Sequence, residues 1–392
     1  MKRLRGVTAV VSALALSMLT ACGGSGESGD AIKVMLIGSL ESPAFSTPQT
    51  EAAAKTAAAV INENGGINGR DLAVSFCNDK FDPNESVACA QRAADEGVVA
   101  VIGGSTGMSA HLPVLEAAGI PLVGGAGSSG APELKSPISY PVNSGAAVMN
   151  YGSGSYAAKK GDSVAILTTD NEGSLEGEKA ARKSAEDHGA KVQTFTMKLG
   201  APDASPTAAA ALRIKPDAVI LTPPPEDAVK MVKALRQGGY TGLIVASSSL
   251  FPPSAIEALG EFAEGIVVAG RLVPVTSTDI PEVKAFVDAM KQHASDASLD
   301  DLSMNTWTAF QLFAKVLEGK EVDGPRDVIA ALDTVSKGKP IELGTAVAYR
   351  GIQANPEMPD FPRVATFATV FSEIKDGKIV KISDFENPTE KS

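Results

Sequence analysis

From Ile32 onward the chain alternates short, wholly apolar runs with longer stretches whose apolar positions recur at helical spacing. Ile32 to Ile37, Leu72 to Phe76, Val98 to Ile102 and Ile120 to Val123 are each short and rich in β-branched residues. Strands buried on both faces of a parallel sheet read this way. Between them the pattern predicts helices. One is opened by Thr47-Pro48, carried by the alanine-rich run from Glu51 to Val60 and closed by Gly65-Gly66; two more cover residues 84 to 96 and 107 to 118. A second series starts after Pro141 and Gly145, with strands at Ser163 to Thr168, Lys191 to Thr196, Asp217 to Leu221, Leu243 to Ala246 and Gly265 to Ala269. Its helices fall at about 175 to 188, 205 to 213, 226 to 237 and 253 to 259. Two or three long helices follow, at about 281 to 293, 302 to 318 and 325 to 336, with no strand between them. The stretch from Val364 to Ile382 then alternates again around Asp376-Gly377, a hairpin turn. Sheet, sheet, helices and strands in that order predict an α/β fold of two doubly wound lobes, between which the chain crosses more than once.

The stretch from Val98 to Ala110 concentrates the candidate chemistry. A buried strand breaks at Gly103 and Gly104, and a helix is expected to restart near Thr106. In an open α/β sheet, ligands sit at the carboxyl ends of such strands, where helix N-termini present free N–H groups. Ser105 stands at that spot, as a hydrogen-bonding group for a ligand or as a nucleophile. The second role is raised because Gly103 to Gly107 also fits the G-x-S-x-G elbow of α/β-hydrolases.

The amino terminus and the charge narrow the options. Lys2, Arg3 and Arg5 precede an apolar run from Val7 to Leu19, and Leu19-Thr20-Ala21-Cys22 ends it. This is a secretion signal, too short to stay in a bilayer as a spanning helix. Its last four residues are similar to the bacterial lipobox, which implies cleavage before Cys22 and lipidation of Cys22. Residues 23 to 29 (GGSGESG) read as part of a flexible tether over 22 to 30. Removing residues 1 to 21 leaves 32 basic against 46 acidic residues, a net charge of −14. That balance excludes nucleic acid and a polybasic membrane-binding face, and leaves small molecules and proteins as partners. With 392 residues, 44% hydrophobic, and only 5% aromatic, the chain is expected to build two cores packed by Ala, Gly and Val.

Cys77 and Cys89 are the cysteines left after Cys22. An even pair in an exported chain favours a disulfide, with free thiols or a metal pair as alternatives; no His lies near enough in sequence to complete a zinc set. Asp82-Pro83-Asn84-Glu85 is expected to start a helix, with Asp82 as N-cap and Glu85 closing a capping box. Cys77 then sits at a strand end and Cys89 two turns into the next helix.

Several segments together carry a resemblance: Ile32 to Gly38, Ile61-Asn62-Glu63-Asn64-Gly65-Gly66-Ile67-Asn68-Gly69-Arg70, Asn78-Asp79 with Asp82-Pro83, Gly97 to Gly103, Ala118-Gly119-Ile120-Pro121 and Pro132-Glu133-Leu134. From Ile32 to Ile382 the chain resembles the leucine/isoleucine/valine-binding protein family, the solute-binding proteins of ABC importers with the type 1 periplasmic-binding fold. The resemblance implies two lobes that close over a ligand by hinge motion, with crossings near Asn143, near Arg271 and in 345 to 365. It implies lobe one as 31 to 143 plus 272 to 362, and lobe two as 144 to 271 plus 363 to 390. A monomer working with membrane permease subunits, without a cofactor, is expected.

By the same resemblance Ser105 and Thr106, with Ser128 or Ser129, match the hydroxyls that hold a ligand carboxylate, and Phe45 matches an aromatic wall. Lobe two departs from the pattern. Amino-acid binders of the family carry a tyrosine after the third lobe-two strand and an acid after the fourth, where this chain has Thr222-Pro223-Pro224-Pro225 and Ser247-Ser248-Ser249. Thr222, Ser248 and Asp170 are the lobe-two candidates, with Glu172 and Glu226 as further acids. An ammonium buried without a carboxylate costs several kcal/mol, so a neutral or monocarboxylate ligand with an apolar part is expected. The esterase alternative needs a histidine on a loop downstream of Ser105, and His111, His188 and His293 all fall inside or at the end of predicted helices. A ligand-sensing lipoprotein without transport is the other alternative; receptors of this fold normally continue into a membrane helix and a signalling module, and neither is read here.

Overall fold

The computed structural model describes residues 30–42, 46–104, 109–125, 131–352, 359 and 362–390. The first sheet is built from β1 (Ile32–Gly38), β2 (Leu72–Asn78), β3 (Ala100–Ile102), β4 (Leu122–Val123) and β5 (Ser139–Tyr140), all parallel, in the spatial order β2-β1-β3-β4-β5. The second contains β6 (Ser163–Thr169), β7 (Lys191–Met197), β8 (Ala218–Leu221), β9 (Leu243–Ser247) and β10 (Val267–Gly270), parallel and in the order β7-β6-β8-β9-β10. The two orders are the same, so the second lobe repeats the winding of the first. An antiparallel hairpin, β11 (Thr369–Lys375) and β12 (Lys378–Glu386), extends the second sheet beyond β10. Its turn is Asp376-Gly377, both with positive φ (50° and 73°), the backbone a two-residue hairpin requires.

Twelve α-helices accompany the strands among the described residues. They are α1 (Pro48–Glu63), α2 (Pro83–Asp95), α3 (Leu112–Ala118), α4 (Ala131–Lys135), α5 (Gly145–Ala158), α6 (Glu172–Asp187), α7 (Ser205–Leu212), α8 (Pro225–Gln237), α9 (Pro253–Leu259), α10 (Pro281–His293), α11 (Asp301–Leu317) and α12 (Pro325–Val335). Strand side chains alternate between faces, and both faces are covered. On β1, Ile32, Val34 and Leu36 join a core with α1, α10, α11 and α12, whereas Met35 and Ile37 join one with α2 and α3. On β6, Ala165 and Leu167 pack with α7, α8 and α9, while Val164 and Ile166 face α5 and α6. Alanine fills much of each core, as the low aromatic content predicts.

The chain therefore passes between sheets three times: from β5 to α5, from β10 to α10, and from α12 to β11. The INENGGINGR segment is tied into this architecture. Its turn is pinned to the far end of α11, Asn68 donating to the carbonyls of Leu317 and Lys320 (2.8 Å each) and Arg70 to that of Val322 (2.7 Å).

Some expectations are corrected. Helix α5 is absent from the hydrophobic pattern because ten of its fourteen residues are buried, leaving no polar stripe, and its Gly and Ser content lowers helix propensity. Small residues are what the site needs: a Cβ on Gly154 would lie 2.2 Å from the carbonyl oxygen of Ala181 on α6. Strands β3 and β4 start two residues later than predicted, and two-residue β5 is too short to register. Helix α3 begins at Leu112, not near Thr106. Residues 109 to 111 form a turn in which Leu112 N–H bonds the Ser109 carbonyl (3.1 Å), and Pro113 enters at the first turn, where its missing N–H costs nothing. Asp82 caps α2 by accepting from Asn84 N (2.8 Å) and Glu85 N (3.2 Å), but no capping box forms. The Asp82 N–H is already given to the Asp79 carbonyl (2.8 Å), and Glu85 pairs with Lys80 instead (2.9 Å).

Candidate functional site

In both sheets the carboxyl ends of the strands carry short polar or glycine loops. In the first lobe, Ser39 follows β1 and Asp79 follows β2; both are fully buried, and Ser39 Oγ donates to Asp79 Oδ1 at 2.6 Å, with Phe81 N–H on the same oxygen (3.0 Å). Burial pushes the Asp79 carboxyl above its usual range, the two hydrogen bonds opposing the rise. The turn after β3 needs its glycines. Gly104 has φ of 81°, and a Cβ there would sit 2.1 Å from the Ile37 carbonyl oxygen, while one on Gly103 would lie 2.9 Å from Thr306 on α11. The loop thus lies directly on the ends of β1 and α11. An open hollow of about 470 Å³ beside the ends of β1 and β2 is lined by Glu41, Ser42, Ser46, Asn78 and Lys80. Asn78 already serves the backbone of Leu40, Glu41 and Lys80, so this hollow is held by local loop bonds.

The second lobe presents Thr169 to Asn171 at the end of β6, Thr222 after β8 and Ser247 to Ser249 at the end of β9. Thr222 is buried and its Oγ1 has no hydrogen-bond partner among the described residues. Ser247 and Ser249 share a hydrogen bond (3.1 Å), and Ser248 Oγ lies 3.8 Å from Met149 Sδ of α5. Asp170 is exposed and accepts from Leu199 N–H, 2.8 Å away, in the loop after β7. Ser105, Thr106, Ser128, Ser129, Phe45 and Cys22 lie outside the described residues. Cys77 and Cys89 form the disulfide expected of them, joining the end of β2 to α2.

Sequence reasoning named crossings near Asn143 and Arg271 but missed the α11 residues that tie the crossings together. One face of α11 reaches all three. Asp301, in its first turn, holds Arg271 after β10, with Nη2 at 2.7 Å and Nε at 3.0 Å from the same carboxylate oxygen. Asn305, one turn on, bonds Asn143 of the first crossing (2.5 Å) and the Gly124 carbonyl (3.0 Å). Thr308 shares a hydrogen bond with Thr345 of the third (2.7 Å). The spacing i, i+4, i+7 puts these three side chains in one stripe. The crossings also bond to one another, Ala365 N–H to the Asn143 carbonyl (3.3 Å) and Val273 N–H to that of Thr345 (3.0 Å). The available signal was a run of polar residues, Ser303, Asn305, Thr306 and Thr308, all within 1% of full burial on an otherwise apolar helix.

Each of the three histidines is engaged by the fold. His111, expected inside a helix, sits just before α3, buried, with Nδ1 at 3.2 Å from Ser86 Oγ; burial lowers its pKa to about 4, so it is neutral at physiological pH. His188 caps the end of α6, its Nδ1 at 2.8 Å from the Ser184 carbonyl, and His293 ends α10 beside Glu63 (3.8 Å). Among the described residues no group of three His, Cys, Asp or Glu could hold a metal ion, and no helix is long and apolar enough to cross a membrane.

Two sheets of one strand order, three crossings and polar strand ends are a recognisable combination, and residues 31–349 match the family model for periplasmic binding proteins. The chain belongs to the periplasmic binding protein family. Membership implies a protein that works outside the cytoplasm on a small solute, and the two-lobe fold implied by the sequence resemblance is the fold observed. Among solved structures, this periplasmic binding protein is similar to a possible leucine/isoleucine/valine-binding protein from Rhodopirellula baltica SH 1, with a TM-score of 0.76 and 17% identity over 91% of this chain and 97% of that one. It is also similar to a fatty acid ABC transporter substrate-binding protein from Thermomonospora curvata, with a TM-score of 0.75 and 18% identity over 91% and 92%. A leucine-binding protein from Thermotoga maritima MSB8 superposes with a TM-score of 0.71 and 18% identity over 91% and 99%. At such identities the likeness is one of fold. No curated protein matches the chain in sequence.

Proposed function

We propose that this protein is the solute-binding lipoprotein of an ABC importer, anchored outside the cytoplasm through lipid on Cys22 and tethered by residues 22 to 30 once the signal of 1 to 21 is removed. Lobe one comprises 31 to 143 plus 272 to 362, and lobe two 144 to 271 plus 363 to 390. A small amino-acid-like, amide or carboxylate solute binds between them, is enclosed as they close, and is handed to permease subunits by a monomeric protein that performs no chemistry. Ser105, Thr106, Ser128 and Ser129 supply the lobe-one hydroxyls, Phe45 an apolar wall, and Thr222 and Ser248 the lobe-two hydroxyls.

The observation that carries this function is the hinge: three crossings held on one stripe of α11, so that rotation about Asn143, Arg271 and Thr345 moves one sheet relative to the other as a body. The relatives of this fold support it, two bearing names that refer to leucine and one to fatty acid. A thermal-shift screen of amino acids, amides, short carboxylates and aromatic acids tests it. A solute at 100 times its Kd adds about 2.7 kcal/mol and raises the melting temperature by a few degrees. Covalent labelling of Ser105 by a fluorophosphonate, with no solute shifting the melting point, would instead establish the esterase.

A further inference from the structure

We infer that Asn64 is a site of spontaneous deamidation, and that Asn68, in the same turn, is kept in its amide form by the fold. The chain holds two Asn-Gly pairs, Asn64-Gly65 and Asn68-Gly69, and both lie in the INENGGINGR segment. A glycine after asparagine leaves the next amide nitrogen unshielded by a side chain, so such pairs are chemically labile. The Gly65 nitrogen attacks Asn64 Cγ; the N–Cγ bond forms, the Cγ–Nδ2 bond breaks, and ammonia departs carrying the glycine amide proton. Water then opens the cyclic imide at either of its carbonyls, giving aspartate or isoaspartate at position 64. Water is the one co-reactant.

Both pairs are exposed, so water reaches each of them and the hydrogen bonds decide which reacts. Asn68 is locked. Its Nδ2 donates to the carbonyls of Leu317 and Lys320 (2.8 Å each), and its Oδ1 accepts from Gly319 N–H (2.7 Å). Its backbone is left-handed, with φ of 54°, in a turn closed by Ile67 N–H to the Arg70 carbonyl (2.8 Å) and Arg70 N–H to that of Ile67 (3.1 Å). Bringing Asn68 Cγ onto the Gly69 nitrogen requires its bonds to the end of α11 to break together. Asn64 has a single side-chain bond, Nδ2 to the Val60 carbonyl (2.8 Å), and the attacking Gly65 N–H is held by the Asn62 carbonyl (3.0 Å). Both of these belong to the last turn of α1, and helix ends fray. One local opening there frees the electrophile and the nucleophile at once, without detaching α11.

The change matters to the fold. A carboxylate at position 64 cannot donate to the Val60 carbonyl, and it puts negative charge at the carboxyl end of α1, against the helix dipole and with no basic residue in that last turn to offset it. The isoaspartate form adds a methylene to the main chain two residues from Gly66, where even a Cβ would stand 2.2 Å from the Arg70 carbonyl oxygen, so the turn has no slack to absorb it. This turn pins the end of α11 away from the crossings. Deamidation at position 64 therefore loosens α11 from that end, and Trp307, on the same helix, reports it.

Ageing the full chain at mildly alkaline pH, folded and in parallel in urea, tests this. Each sample is digested at acid pH, where the reaction is slow, and the amide-to-acid conversion at positions 64 and 68 is read separately by mass spectrometry. In urea the two positions should convert at similar rates. In the folded protein position 64 should convert at least about tenfold faster than position 68, a ratio that two additional hydrogen bonds of ordinary net strength sustain. The aged protein should also unfold at a lower urea concentration by Trp307 fluorescence, and an aged Asn64→Gln variant should not. Conversion at position 68 as fast as at 64, or a position 64 that stays an amide in the folded protein while it converts in urea, overturns the inference. A midpoint unchanged by full conversion overturns the link to α11.

Discussion

Replacing Asp301 by alanine tests the stripe on α11 at its most costly contact. The Arg271 guanidinium is 3% exposed and the Asp301 side chain 15%, so both charges sit largely out of water. Removing the carboxylate leaves a buried arginine without its two hydrogen bonds to that oxygen, a change that costs about 3 to 5 kcal/mol. The sole tryptophan, Trp307, stands on the same helix, 5% exposed and packed against Phe286 with ring centroids 5.9 Å apart, so its fluorescence reports unfolding of the lobe that contains α11. Urea denaturation followed at Trp307 should show Asp301→Ala losing stability in that range, with little dependence on added salt because the pair is shielded from ions. The double variant Arg271→Met/Asp301→Leu should recover most of the loss, since apolar residues of similar volume remove both desolvated charges together. A cost below about 1 kcal/mol for the single variant, or a double variant no more stable than the single, would refute a buried interlobe ion pair at the second crossing.

Three further outcomes are expected. His111 has its pKa lowered to about 4 from 6.5 by burial, so below pH 6.5 the unfolded chain takes up a proton that the folded one refuses; its contribution, about 3 kcal/mol at most, is present above pH 6.5 and is lost as pH falls towards 4. Unfolding curves at pH 7 and 4.5 should therefore converge in His111→Gln relative to the parent, and an unchanged pH dependence would contradict a neutral core histidine. Reducing the Cys77–Cys89 bridge, which closes a loop of sequence separation 12, should cost about 3 kcal/mol in the chain-entropy model, seen as a lower urea midpoint with dithiothreitol and no such effect in a Cys77→Ser/Cys89→Ser variant. Gly104→Ala places a Cβ 2.1 Å from the Ile37 carbonyl oxygen at a φ of 81°, and should destabilise by about 2 kcal/mol or more; a neutral result in thermal denaturation would mean that the β3 turn is free to move away from β1.

Features that depend on nearest neighbours were legible in the sequence, and features that depend on distant ones were not. Buried parallel strands such as β1 and β6 advertise themselves because both faces are apolar, and α1, α10 and α12 because an N-terminal proline and an amphipathic stripe mark them. The Cys77–Cys89 bridge followed from export and from a strand end next to a helix start. Helix α5 escaped because burial on nearly every side erases the periodicity used to find helices. The α11 side chains that tie the crossings escaped for a different reason: Asn143 and Asn305 lie 162 positions apart, and nothing local to either indicates the partner. At the strand ends, sequence reasoning named Thr222, Ser248 and Asp170, but the hydrogen bonds of Asp170 to Leu199 and of Asp227 to Gly200 are a property of the folded loop.

The central claim is that two lobes close over a small solute. Spin labels on Glu41→Cys and Glu172→Cys, exposed positions beside the strand ends of the first and second sheets, measure the gap directly by pulsed electron resonance. Saturation with a mixture of amino acids, amides and short carboxylates should shorten the mean distance and narrow its distribution, with the change lost on dialysis. A distance distribution that stays the same with every solute mixture tried, alongside an unmoved melting temperature, would contradict solute capture by closure.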